Sequence, residues 1–180
     1  MPIASDLDLG FGYTGTLRHI AIVTMALFPE DSGENDLFLS RSDPDNRFGT
    51  HAPLSFRLDG KTWPTVEHYF QGMKFTDDDQ QEKVRNAESP QQARKLGRKR
   101  HRSLRKDWKK VRETVMTRAV YTRCRTHPDL AEELLATGDQ KIVENSNFDY
   151  FWGCGRDRRG ENAYGRVLMK VRAKLREERA

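Results

Sequence analysis

Leu54-Ser-Phe-Arg-Leu-Asp-Gly-Lys-Thr-Trp-Pro-Thr-Val-Glu-His-Tyr-Phe-Gln-Gly-Met-Lys-Phe75 changes its hydrophobic period halfway along, and that change decides the fold class. Leu54, Phe56 and Leu58 alternate with polar residues, the two-residue period of a strand. Asp59-Gly60 is a dipeptide that accepts positive φ, and Lys61 to Trp63 resumes the extended pattern, so this half reads as a hairpin. After Pro64 the period lengthens, with Thr65 placed to cap a helix running to about Phe75. A hairpin feeding a helix, in a chain whose remainder is patterned mainly as helix, predicts an α+β, mainly α-helical single domain with a small β-hairpin or sheet portion.

Downstream, helices are expected over Asp78 to Asn86, Pro90 to Lys99 with Ser89 as cap, Asp107 to Arg125, and Pro128 to Ala136. A short strand at Lys141 to Glu144 leads into a glycine-rich turn, Trp152 to Gly160, and a final helix from about Glu161 to Glu178. Upstream, Asp36 to Ser40 and Leu17 to Phe28 read as strands, and residues 1–16 show no sustained period. The division expected is a lead segment, 1–36, followed by the main domain, 37–180.

At 180 residues the chain suits one domain, and 36% hydrophobic with 33% charged residues describes a folded core under a charged surface. Cys124 and Cys154 are too far apart for a paired-ligand motif, and His19, His51, His68, His101 and His127 show no metal-ligand spacing. Neither a metal nor a cofactor is therefore expected. The apolar stretch Leu17 to Phe28 contains Arg18 and His19 and is too short to span a bilayer, so a cytoplasmic location without membrane attachment is the expectation. A net charge of +5 would attract anions, from nucleotide phosphates to nucleic acid.

Three constellations could carry chemistry. On the helix after Pro64, Glu67, Gln71 and Lys74 stand at i, i+4 and i+7, one stripe holding an acid, an amide and an amine. A solvated, salt-bridged face would show the same pattern. Trp63, Tyr69, Phe70 and Phe75 surround the stripe with aromatic surface, which suits either a base-binding pocket or plain core. Around Glu144 and the run Asp149-Tyr-Phe-Trp-Gly-Cys-Gly155, glycines permit close backbone approach to a ligand, without Rossmann or P-loop spacing. The third feature is the basic run from Arg94 to Arg112, in which Asp107 is the single acid; it reads equally as a polyanion contact or as a solvated face.

The blocks Asp59-Gly-Lys-Thr-Trp-Pro-Thr-Val-Glu-His-Tyr-Phe-Gln-Gly-Met-Lys-Phe75, Leu96-Gly-Arg, Leu104-Arg-Lys-Asp-Trp108, Leu134-Leu-Ala-Thr-Gly-Asp139, Val143-Glu, Trp152-Gly-x-Gly and Gly165-x-x-Leu-Met-x-Val-Arg172 resemble the NADAR family, in the right order over roughly Phe48 to Leu175. The resemblance implies that 37–180 is a catalytic domain with N-glycosidase activity. The substrates it implies are ribosylaminopyrimidine phosphates of riboflavin biosynthesis or ADP-ribose on guanine, free or in DNA. It places the family's acid on Glu67 and its amine on Lys74, the latter as a Schiff-base former. Phe48, Trp63, Tyr69, Gln71, Trp108, Glu144, Trp152, Gly153, Cys154 and Asn162 are then expected to line the substrate or position it.

Two blocks depart from the pattern. Phe48-Gly-Thr-His51 stands where similar sequences read Phe-Ser-Asn-Phe, and Cys154 where many carry Asp. Those departures suit the alternative of a non-catalytic module binding ADP-ribose, an NAD derivative or nucleic acid, whereas Glu67 and Lys74 together suit an enzyme.

Overall fold

Thr65 opens the helix around which the molecule is assembled. Its backbone is extended (φ −147°, ψ 165°) and its hydroxyl accepts a hydrogen bond from the His68 amide at 3.3 Å, closing one of the free donors of α1, Val66–Gly72. The computed structural model describes residues 35–99 and 101–180. The strand expected at Leu17 to Phe28 and the lead segment up to residue 34 lie outside the described residues.

The hairpin forms as its sequence dictates. β2, Phe56–Leu58, pairs antiparallel with β3, Lys61–Trp63, in the register Phe56 to Trp63. Asp59 (φ 51°) and Gly60 (φ 76°) take the two positive φ angles of the tight turn that matches strand twist. The other two strands find each other across most of the chain: β1, Leu37–Leu39, runs parallel to β4, Ile142–Glu144. No local signal specified that pairing.

Helices follow where caps start them. Asp77 accepts from the Gln80 amide before α2, Asp78–Arg85, and Ser89 from the Gln92 amide before α3, Pro90–Arg98, whose first residue is the proline. α4, Trp108–Thr126, α5, Pro128–Ala136, and α6, Ala163–Glu177, complete the order. α1 packs against α2, α3 and α4, while α6 packs against α4, α5 and β4. The main core, including Trp63, Met116, Tyr164 and Leu168, lies between these groups, and Phe75, Val84 and Ala93 form a smaller one beneath α2 and α3. Among the described residues, no helix is long and apolar enough to cross a membrane.

One expected boundary is corrected. α1 stops at Gly72 rather than about Phe75, so Lys74 lies in the turn beyond the helix. The cause is a competing backbone partner. The Lys74 carbonyl accepts from the Arg105 amide at 2.8 Å, the Thr76 amide donates to the Ser103 carbonyl at 2.8 Å, and Phe75 bridges Leu104. These bonds draw residues 74–76 into an extended path that a helix could not follow.

α6 touches β4 at backbone distance through Gly165, where an added Cβ would stand 2.0 Å from the Ile142 carbonyl oxygen. In a free helix, Gly→Ala stabilises by up to about 1 kcal/mol. Here the steric term should win, so Gly165→Ala is expected to destabilise by about 1–3 kcal/mol. Thermal unfolding checks the sign: a raised melting temperature would mean that α6 and β4 can part without cost.

Candidate active site

Burying a carboxylate costs several kcal/mol unless charges and donors compensate it, and Glu67 is buried completely. The Thr50 hydroxyl donates to Oε2 at 2.8 Å and the Gln71 amide donates to Oε1 at 2.7 Å. Thr50 also accepts the Glu67 backbone N–H at 2.9 Å, gripping the residue at both ends. Arg41 Nη1 lies 3.9 Å from Oε2, His51 Nε2 lies 3.8 Å from Oε2, and Arg94 Nε lies 4.0 Å from Oε1. Burial pushes this carboxyl up, but Arg41 and the two hydrogen bonds outweigh it and hold Glu67 below the ordinary glutamate value, as a carboxylate.

Arg41 is itself fixed from behind. Its guanidinium donates to Asp149 Oδ2 at 2.8 Å and its Cζ lies 5.9 Å from the Trp152 ring centroid, while its amide donates to Glu144 Oε1 at 3.2 Å. Glu144 is buried and also accepts the Ser146 amide, so it orders the backbone under the site. Gly153 is required beside it, because a Cβ there would come within 2.3 Å of Glu144 Oε2. Asn162 accepts the Glu144 amide and donates to the Ile142 carbonyl, tying the start of α6 to β4.

Lys74 faces this cluster from the turn after α1. Its ammonium donates to the Gly97 carbonyl at 3.3 Å and sits 5.7 Å from the Phe70 ring centroid and 5.8 Å from that of Trp108. Phe70 in turn contacts Trp108 (4.9 Å between centroids) and Trp152 (5.4 Å), making an aromatic wall. Gly97 lets α3 close against α1, since a Cβ there would fall 2.1 Å from Gln71 Oε1. Burial lowers the Lys74 pKa, Glu67 raises it, and Arg98, Arg94 and Arg41 lower it again, for a net value of about 8. The amine is thus partly unprotonated near neutrality.

The structure brings Glu67, Gln71, Lys74, Trp108, Trp152 and Glu144 to one region, and places others elsewhere. Trp63 is fully buried, its indole N–H donating to the Leu58 carbonyl. Tyr69 is also fully buried, its hydroxyl donating to Asp59 and its ring edge-on to Trp63. Both are core, not lining, because their polar atoms are spent on the hairpin. Phe48 contributes its carbonyl, which accepts from Arg123 and Tyr164, and Cys154 points its thiol at the Gly155 carbonyl while its amide donates to the Glu144 carbonyl at the end of β4. Sequence reading did not single out Arg41, Asp149 or Arg94 as site residues. Arg94 carried a signal as the first basic residue of the run, and Asp149 as the residue that opens the glycine-rich run after Glu144; Arg41 carried none. Thr50, noticed as a departure, turns out to be a direct partner of Glu67.

A cleft of about 450 Å³ opens next to this cluster, lined by Ser42, His51, Gln91, Arg94, Lys95 and Arg98. A larger groove of about 600 Å³ runs along α4 and α6, past Glu113, Thr117 and Lys170, but none of the residues around Glu67 lines it. Among the described residues, no group of three or more His, Cys, Asp or Glu could hold a metal ion.

Residues 27–176 match the family model for the NADAR domain. The chain is 42% identical over 138 residues to N-glycosidase YbiA of Escherichia coli, covering 77% of this chain and 86% of that protein. It is 43% identical over 138 residues to a riboflavin biosynthesis protein of Vibrio vulnificus, covering 75% of this chain and 38% of that one. The NMR structure of E. coli YbiA superposes with a TM-score of 0.71 at 40% identity, covering 80% of this chain and 88% of that one. With the family model spanning most of the sequence and the fold shared, the chain belongs to the NADAR family.

Proposed function

We propose that the protein is an N-glycosidase that hydrolyses the bond between a phosphorylated ribose and a base, using Lys74 as nucleophile and Glu67 as the facing carboxylate. The observation that carries this reading is the pairing of a desolvated amine, set against the Phe70 and Trp108 rings, with a fully buried carboxylate within its field. A solvated, salt-bridged stripe would not bury Glu67 or strip Lys74 of a carboxylate partner within ion-pair distance. The names of the relatives, N-glycosidase and riboflavin biosynthesis protein, support the reaction class and favour a ribosylaminopyrimidine phosphate over ADP-ribosylated guanine.

The chemistry balances without a cofactor. Opening the sugar ring leaves C1 joined to the base nitrogen as an electrophilic imine-type carbon. The free Lys74 amine adds to C1, and the C1–N bond then breaks, its electron pair leaving with the base, which takes up a proton. The Lys74 imine that remains is hydrolysed by water, returning the amine and releasing the sugar. Glu67 stabilises the positive charge at C1 and relays protons. Two residues that line the cleft, His51 and Arg94, lie 3.8 and 4.0 Å from its carboxylate, which puts Glu67 directly behind the cleft wall.

Borohydride added during turnover should fix a sugar adduct on the peptide containing Lys74, with Lys74→Ala leaving none. Turnover without any adduct would remove the imine from the mechanism. Glu67→Gln should keep the fold and lower kcat by at least about 100-fold, the scale of a lost acid–base group. Near-normal turnover in that variant would release Glu67 from its role.

The rate should rise with pH to a plateau, with an apparent pKa of about 8, because only the unprotonated amine attacks. A limb near the ordinary lysine value would oppose a desolvated nucleophile. The same shift has a stability consequence. Because the folded pKa lies below the unfolded one, the native state carries a poorly solvated ammonium below pH 8, and the penalty fades as pH rises towards the unfolded value of about 10.4. Lys74→Met should therefore gain about 1–3 kcal/mol at pH 7 and much less at pH 10, as read by denaturant titration.

A further inference from the structure

The basic run is not one surface. Arg105 pairs with Asp107, Arg112 stacks on Phe151, and Lys106 and Lys109 are exposed away from the cleft. In its first part the positions behave differently. Gln91, Arg94, Lys95 and Arg98 are spaced i, i+3, i+4 and i+7 on α3, and all four line the 450 Å³ cleft beside Glu67. Three cations on one helical stripe repel each other unless something negative lies among them. No carboxylate lines the cleft. Lys95 and Arg98 make no ion pair among the described residues, and Arg94 has only Glu67, which Arg41, Thr50 and Gln71 already hold.

His51 lines the same cleft, with its Nε2 3.8 Å from Glu67 Oε2. It is 3% exposed, and both of its ring nitrogens lack a hydrogen-bond partner among the described residues. A buried imidazole with two unpaired nitrogens is costly unless its partner comes from the ligand.

We propose that Arg94, Lys95 and Arg98 of α3, with His51, form an anion subsite that seats a phosphate group of the substrate and so positions the sugar over Lys74. The inference rests on the reading of this region as the active site and adds to it the group by which substrate is held. Guanidinium groups suit phosphate oxygens, because their fixed forks donate in pairs, and the neutral His51 ring adds a single donor. The phosphate is either a terminal monoester, as on a ribose phosphate, or a diphosphate, as in a dinucleotide-like ligand. Both present the same oxygens to α3.

The test is a calorimetric titration of the full chain with inorganic orthophosphate and with inorganic pyrophosphate, without any turnover. The variants are Arg94→Ala/Arg98→Ala, the milder Arg94→Lys, and Lys109→Ala, an exposed member of the same run outside the cleft. Wild type and Lys109→Ala should bind alike, the double variant at least tenfold more weakly, and Arg94→Lys in between. Tighter pyrophosphate assigns the diphosphate, and tighter orthophosphate the monoester; either supports the subsite.

Equal affinity in wild type and in a double variant with native circular dichroism would overturn the proposal, as would no binding of either anion. So would an oligonucleotide that binds more tightly than either anion and loses affinity equally in Lys109→Ala and the double variant, because the run would then serve a polyanion as a whole. A failed borohydride trap with intact anion binding would retire Lys74 chemistry and leave the subsite standing.

Discussion

An ionised carboxylate with no exposure to water is the constraint from which the rest of this molecule follows. Glu67 sits in the first turn of α1, where the helix N-terminus favours negative charge, but that alone is worth little against the loss of hydration. The remainder of the compensation comes from Gln71, one turn along the same helix, and from three separate parts of the chain: Thr50 and His51 from the loop before the hairpin, Arg41 from the loop after β1, and Arg94 from α3. Each must be fixed in turn, which is why Glu144, Asp149 and Gly153 are arranged as they are behind Arg41.

The amine opposite is governed by the same charges acting in opposition. Burial does most to lower the Lys74 pKa, Glu67 opposes it, and Arg98, Arg94 and Arg41 add to the lowering. The value falls to about 8 because burial leads and the carboxylate that would offset it is shared among several cations. Site geometry and proton affinity are therefore not independent properties here. Displacing Arg41 or Arg94 changes both.

What could be read from sequence was what is local. The Asp59-Gly60 turn, the Thr65 and Ser89 caps and the helix-starting prolines each act within a few residues, and each element appeared near its expected place. Glu67 and Gln71 were legible as a stripe because both lie on a true helix. Lys74 was placed on that stripe for a reason that fails, since residues 103–105 draw its backbone out of the helix, although its side chain still faces the cluster. The pairing of Arg41 with Asp149 was beyond reach, because it spans 108 positions, although Asp149 opens the run noted beside Glu144. The aromatic residues divided for a similar reason. Whether Tyr69 or Trp108 meets a ligand depends on which neighbours arrive from α4 and the hairpin, not on spacing.

The parallel pairing of β1 with β4 has a consequence for when chemistry becomes available. Arg41 leaves β1, and its amide is held by Glu144 at the end of β4, a contact between residues 103 positions apart. Closing a loop of that length costs about 4 kcal/mol in chain entropy, and such non-local pairings form late in folding. On a growing chain, β4 follows Lys74 by most of the helical domain, so Arg41 is not in place while the nascent chain is short. Until then the Glu67 carboxylate lacks the cation that does most to hold it ionised. A chain cut short of β4 therefore lacks the contact that fixes Arg41 beside Glu67.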